Sequence, residues 1–268
     1  MARERDPKHT ARSSTRPHSS FTRARRVVPY HWTVVLPVLV ALIAGCGSPS
    51  WLSHHGIGPS ASFYDDFTTK PDGSLIAGKL SDSGHGYTVL GQIPWEITGG
   101  RLTHTQTNPA ATQSSYLGVK LGTPVGYIWA EYEVPPGPHP QEAIVLIISA
   151  NEFTAPGYEF ADAAVHCVFA STAFACDSLQ ALHPGLKRTR IIHGNYGALT
   201  PGSHRVEVSI KDSKAVITTP DGKRWQSETS DLIAARSGPW ATLQLNNPAS
   251  ASPLKELRVL RWGAELQR

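Results

Sequence analysis

After residue 61, apolar and polar positions alternate with a period of two in short runs separated by turn residues. The runs Ser62–Phe67, Tyr87–Leu90, Arg101–Thr105, Ser115–Leu121, Tyr127–Val134, Ala143–Ser149, Ala164–Ala170, Arg188–His193, Arg205–Ile210, Ala215–Thr219, Arg224–Glu228, Trp240–Leu245 and Leu254–Trp262 are rich in β-branched and aromatic residues and predict strands. Ala143–Ser149 (AIVLIIS) is apolar on both faces, which predicts a central strand covered on both sides. Asp221-Gly222 between two such runs predicts a tight hairpin in which both residues take positive φ. Only Ser230–Arg236 reads as helical, with Ser230 or Asp231 as its N-cap. Short strands at this density, with one short helix, predict an all-β antiparallel sandwich or barrel rather than βαβ units.

The N-terminal pattern differs. Trp32–Gly45 is an uncharged apolar segment interrupted by Pro37, too short to span a bilayer comfortably, and it follows an arginine-rich stretch. That order predicts the hydrophobic region of a secretory signal. The segment ends in Leu42-Ile43-Ala44-Gly45-Cys46, which resembles the bacterial lipobox. The resemblance implies that residues 1–45 are a lipoprotein signal peptide and that Cys46 becomes the acylated first residue. It further implies export and attachment by lipid to the outer face of the cytoplasmic membrane. An uncleaved signal anchor is the alternative. Residues 46–61 are rich in Gly, Ser and Pro and read as a flexible tether of roughly 20 Å end to end. Residues 62–268 remain as one domain.

Charge changes this picture little. The formal net charge is +4 and the isoelectric point near 9.0. Arg3, Arg5, Lys8, Arg12, Arg16, Arg23, Arg25 and Arg26 face only Glu4 and Asp6 in the first thirty residues, so the remainder is mildly acidic. The basic isoelectric point is therefore no argument for a nucleic-acid partner. Once Cys46 is set aside, Cys167 and Cys176 form an even pair. Outside the cytoplasm they are expected as a structural disulfide, with two free thiols the alternative.

The stretch Phe63-Tyr64-Asp65-Asp66-Phe67, the Asp72-Gly73-Ser74-Leu75 turn and Trp95-Glu96-Ile97-Thr98-Gly99-Gly100-Arg101-Leu102 resemble the opening of concanavalin A-like lectin/glucanase domains, the laminin-G-like jelly rolls. Gly202–Val208, the Pro220–Lys223 turn, Gly238-Pro239-Trp240 and a last strand near Leu257–Leu260 fit the back half. The resemblance implies a jelly-roll sandwich over residues 62 to 262, including a Trp-x-Ile strand and a Gly-Gly hairpin. It does not fix function, because the group holds lectins, glycosidases and structural modules.

The glutamate-x-aspartate-x-x-glutamate cluster of that group's glucanases is absent from the sequence. The nearest candidate is Tyr127-Ile128-Trp129-Ala130-Glu131-Tyr132-Glu133, where alternation puts Tyr127, Trp129, Glu131 and Glu133 on one face. Carboxylates at i and i+2 lie roughly 6.5–7 Å apart along a strand, within reach of the spacing glycoside hydrolysis uses. Tyr127 and Trp129 could stack on a sugar ring. The competing reading is an ordinary solvated strand face. Asp65, Asp66 and Asp72 are candidates for a structural calcium site, although turn and cap roles explain them equally; no other cofactor is expected. The histidines make no zinc-like spacing. Lys187-Arg188-Thr189-Arg190 reads as a solvated strand end able to meet anionic polysaccharide or lipid heads. The function expected is a lipid-anchored envelope module that binds glycan or an envelope protein without catalysis. A glycoside hydrolase using Glu131 and Glu133 and a scaffold lipoprotein are the alternatives.

Overall fold

The structure, a computed structural model, describes residues 62–122, 124–137, 142–153, 163–182, 185–250, 254 and 256–267. The expected signal peptide, Cys46 and the tether lie outside the described residues. Among the described residues no helix is long and apolar enough to cross a membrane.

The chain forms an antiparallel sandwich of two sheets. The first contains β1 (Ser62–Asp66), β2 (Gly73–Leu75), β4 (Trp95–Ile97), β5 (Leu102–Thr103), β7 (Val125–Val134), β12 (Gly202–Lys211), β13 (Lys214–Thr218), β14 (Arg224–Gln226) and β16 (Arg258–Leu266). The second contains β3 (Thr88–Gly91), β6 (Gln113–Lys120), β8 (Ala143–Ser149), β9 (Ala163–Phe169), β10 (Ala173–Ala181), β11 (Leu186–Asn195) and β15 (Trp240–Asn247). The order is β14-β13-β12-β7-β16-β5-β4-β2 in the first sheet, with β1 beside β16, and β11-β10-β9-β8-β15-β6-β3 in the second. The helix α1 is Asp231–Arg236 with Ser230 at its N-cap.

Alternation explains the core. In β7, Ile128, Ala130, Tyr132 and Val134 are buried, while Tyr127, Trp129, Glu131 and Glu133 are partly exposed on the opposite face. Their inward neighbours join Phe63, Trp95 and Trp262 from the first sheet and Leu117, Leu146, Cys167 and Leu243 from the second in one apolar cluster. β8 is buried at every position, as its continuous apolar run requires of a strand between β15 and β9.

The structure departs from the sequence pattern at turns and bulges. Gly99 and Gly100 both take positive φ, +56° and +72°, and close a two-residue hairpin through paired Thr98 and Arg101 backbones. At Asp221-Gly222 only Gly222 has positive φ, +79°, and the Gly222 N–H donates to Thr219 carbonyl, so the connection is longer than the two-residue form expected. The last strand begins at Arg258, later than expected, and a bulge at Leu260 shifts its register against β7. β10 carries no clean apolar alternation and was not anticipated. It pairs with β9 so that Cys167 and Cys176 stand directly opposite and form a disulfide, their Cα atoms 4.0 Å apart.

Candidate functional site

β7 lies between β12 and β16, and antiparallel register sets the neighbours of its outward side chains. Glu131 stands between Arg205 and Arg261, Trp129 between Glu207 and Gly263, and Glu133 between Ser203 and Arg258. Two devices make this possible. Alternation in β12 sends Arg205 and Glu207 outward while Val206 and Val208 enter the core. The bulge at Leu260 allows Arg258 and Arg261, three residues apart, to share the outer face.

The result is a charge ladder across the first sheet. Arg261 Nε donates to Asp66 Oδ2 at 2.9 Å, and its Nη1 to Glu131 Oε2 at 3.1 Å. Arg205 Nη1 reaches Glu131 Oε1 at 2.8 Å, Nε reaches Glu207 Oε1 at 2.6 Å and Nη2 reaches the Tyr127 hydroxyl at 3.1 Å. Arg101 Nε donates to Glu133 Oε2 at 2.7 Å, with Arg258 at 3.8 Å from the other oxygen. Partial burial works against the ionised form of Glu207, but hydrogen bonds led by Arg205 outweigh it and hold the carboxyl below its usual range. Asp66 is lowered in the same way, burial being outweighed by hydrogen bonds from Thr68 and Arg261. Burial pushes Tyr127 up to about 12, so its hydroxyl stays protonated as an acceptor for Arg205.

The Arg205 guanidinium also lies over the Trp129 ring, 4.0 Å from its centroid. Trp129 sits against Gly263, where a Cβ would come within 2.9 Å of the indole Nε1, and the Tyr64 ring is 6.1 Å away. Beside this cluster a groove of about 420 Å³ opens between β16 and the β13–β14 turn, lined by Glu131, Ser203, Arg205, Thr218, Pro220 and Arg261 among others. The structure therefore gathers Tyr127, Trp129, Glu131 and Glu133 on one face, as alternation predicts. It adds four arginines that the local sequence did not single out. Outward alternation marks Arg205 in its own strand, but its meeting with Glu131 depends on strand order.

The aspartates do not converge. Successive strand residues face opposite ways, so Asp65 points inward to Tyr87 and Lys70 while Asp66 points outward to Arg261. Asp72 accepts the Gly99 N–H at 2.7 Å. Among the described residues no group of three or more His, Cys, Asp or Glu side chains is placed to hold a metal ion.

The outward side of the second sheet carries a polar row that sequence reading missed. Asp177 of β10 is opposite His166 of β9, and both are buried. His166 is hydrogen-bonded to Gln244 of β15, whose amide nitrogen lies 3.4 Å from the Tyr116 hydroxyl. Burial pushes His166 down to about 4, with Arg188 acting in the same direction and Asp177 against it.

No family model matches the chain, and no curated protein sequence matches it. Among solved structures, a legume lectin-like domain from Entamoeba histolytica is 10% identical, with a TM-score of 0.48 over 68% of this chain and 90% of that one. LamAcat from Zobellia galactanivorans is 11% identical, with a TM-score of 0.48 over 76% and 96%. The exoplasmic/lumenal domain of VIP36 in its Ca2+/Man2-bound form is 8% identical, with a TM-score of 0.48 over 72% and 87%. These are likenesses of fold alone, and the assignment of a two-sheet antiparallel sandwich rests on the strand pairing described above.

Proposed function

We propose that the protein is a lipid-anchored module of the cell envelope that binds glycan through the outer face of its first sheet and does not cleave it. The observation that supports this reading most is the outward cluster of Trp129, Tyr127 and Arg205 beside an open groove with polar side chains on both walls. Fixed hydrogen-bonding groups in a shallow depression, with the Trp129 and Tyr127 rings beside its lining rather than in it, suit a polyhydroxylated chain. Against catalysis stands the engagement of both carboxylates. Glu131 has an arginine on each oxygen and Glu133 is held by Arg101, so neither is disposed as an unencumbered nucleophile or proton donor. The full chain, purified in detergent, should co-sediment with insoluble envelope polysaccharide and leave its reducing-end count unchanged. Failure to sediment with every fraction removes the binding reading, and release of reducing ends removes the non-catalytic one.

Anchoring through acyl chains on Cys46, at the outer face of the cytoplasmic membrane, completes the proposal. It is supported by the lipobox-like Leu42–Cys46 stretch after an apolar segment. Cys46→Ala should move the protein from the membrane pellet to the soluble fraction, and retention in the pellet favours a signal anchor.

A further inference from the structure

The edge of the second sheet has a different charge balance from the first. On the first sheet Asp66, Glu131, Glu133 and Glu207 are matched by Arg101, Arg205, Arg258 and Arg261. On the second, the single carboxylate of Asp177, 2% exposed, is shared by Arg188 and Arg190. Arg190 donates through Nε to Asp177, and its two terminal nitrogens have no partner among the described residues. Neither do the His193 ring nor the Asn195 amide.

A bulge brings these groups together. Residues 190 and 193 of a regular strand would face opposite ways, but the pairing shifts between Cys176 and Asp177, and Ile191 is the extra residue. Ile191 and Ile192 both pack against the core, which returns His193 and Asn195 to the face of Arg190. The three polar side chains rim a pocket of about 270 Å³ whose wall is Val168, Ala170 and Ala175 with Phe174. Among the described residues no carboxylate lines it, whereas Glu131 lines the groove on the first sheet.

We infer that this pocket binds a single sugar ring bearing a carboxylate, the acid group on Arg190, the hydroxyls toward His193 and Asn195, and the ring's C–H face on the alanine and valine wall. A planar guanidinium with two open N–H donors matches a carboxylate in fork geometry. The volume lies below the ~300 Å³ at which ligand pockets ordinarily begin, which suits one ring rather than a chain. Apolar walls give inorganic phosphate nothing to pack against. Among the described residues, the large exposed apolar side chains Tyr64, Ile76, Leu80 and Leu182 are all absent from the lining. The site is separate from the glycan-binding face proposed above, and either can fail without the other.

The test is titration of the full chain in detergent with glucuronate, glucose and inorganic phosphate, followed by amide chemical shifts. Glucuronate should shift the residues of Val168–Ala175 and Arg190–Asn195. Arg190→Gln should weaken binding by about tenfold or more, as expected for loss of a charge-assisted pair, while Arg188 continues to hold Asp177. Ala175→Leu, which fills the pocket without altering charge, should abolish it. Arg205→Gln, on the other sheet, should leave it unchanged. Equal shifts from glucose or from phosphate, an unaltered response in Ala175→Leu, or no response to glucuronate each overturn the assignment. If Arg190→Gln does not fold, Ala175→Leu decides alone.

Discussion

Arg205 covers the face of Trp129, its guanidinium carbon 4.0 Å from the ring centroid, while the same side chain ties Glu131 to Glu207. One residue thus fixes an aromatic surface and two carboxylates on neighbouring strands, and its planar fork is what makes the three contacts compatible. Arg205→Lys keeps the charge but loses the fork. It should lower stability by about 1 kcal/mol, since contacts of a partly exposed arginine are each worth a fraction of that. Urea denaturation checks the figure. Equal stability of the lysine variant would show that the ladder holds nothing in place.

Gly263 is opposite Trp129 in the β7–β16 register. A Cβ there would lie 2.8 Å from the Phe63 carbonyl oxygen and 2.9 Å from the indole nitrogen, and the backbone oxygen cannot yield as a flexible side chain would. Gly263→Ala should cost about 1–3 kcal/mol by overpacking. It should also displace Trp129, visible as a change in tryptophan fluorescence. A variant with native stability and emission contradicts this packing.

Cys167 and Cys176 close a short loop across the β9–β10 pair in the core. Replacing both with serine should cost on the order of 2–3 kcal/mol by the chain-entropy model. The loss is measured as a fall in denaturant midpoint, and reduction of the wild type should produce a comparable shift. No effect of either treatment would mean that the two strands are fixed without the bridge.

Much of this was legible beforehand. Period-two alternation placed Tyr127, Trp129, Glu131 and Glu133 on one face and Ile128 and Tyr132 on the other, because face is a local property of a strand. The partners of those residues were not legible. Arg205 is 74 positions from Glu131 and Arg261 is 130 positions away, so their meeting depends on β12 and β16 flanking β7, which no local pattern states. Bulges hid the rest. The extra residues at Leu260 and Ile191 reverse the face of everything beyond them, which concealed that Arg261 shares the face of Arg258 and that Arg190 approaches His193. β10 escaped because Asp177 and Ser178 interrupt its apolar run, and both are buried only through their partners in the fold.

A buried polar cluster joins the chain segments around β5, β8 and β15. His104 Nε2 lies 3.2 Å from Glu142 Oε1 and 2.8 Å from Asn247 Nδ2, and Glu142 Oε2 accepts the Leu257 N–H at 2.8 Å. Burial raises Glu142 well above its ordinary value and lowers His104 to about 4, so the two meet as neutral groups rather than as an ion pair. The folded state then holds a proton on Glu142 that the unfolded chain releases above about 4.5. The stability contributed by Glu142 should therefore fall with rising pH from there, by up to about 1.4 kcal/mol per pH unit, until the folded carboxyl titrates, while His104 acts in the opposite sense below about 6.5. Glu142→Gln keeps the shape and abolishes the titration, so its stability relative to wild type should improve between pH 5 and pH 7. A difference that does not vary with pH contradicts the assignment.

His166 works in the opposite sense. Its folded value near 4 lies below the ordinary 6.5, so the unfolded state takes up a proton first as pH falls. Stability from this residue is present above about 6.5 and is lost as pH drops toward 4. His166→Gln should flatten the acid limb of the stability curve in that window. An unchanged limb would place the acid sensitivity elsewhere.

Calorimetric titration of the full chain in detergent with fractionated envelope polysaccharide, wild type beside Trp129→Ala, tests the central proposal most directly. Saturable heat in the wild type, reduced at least about tenfold in affinity in the variant as expected for a central aromatic contact, is the result predicted. No heat with any fraction, or equal affinity in a folded Trp129→Ala protein, contradicts a glycan site on the first sheet.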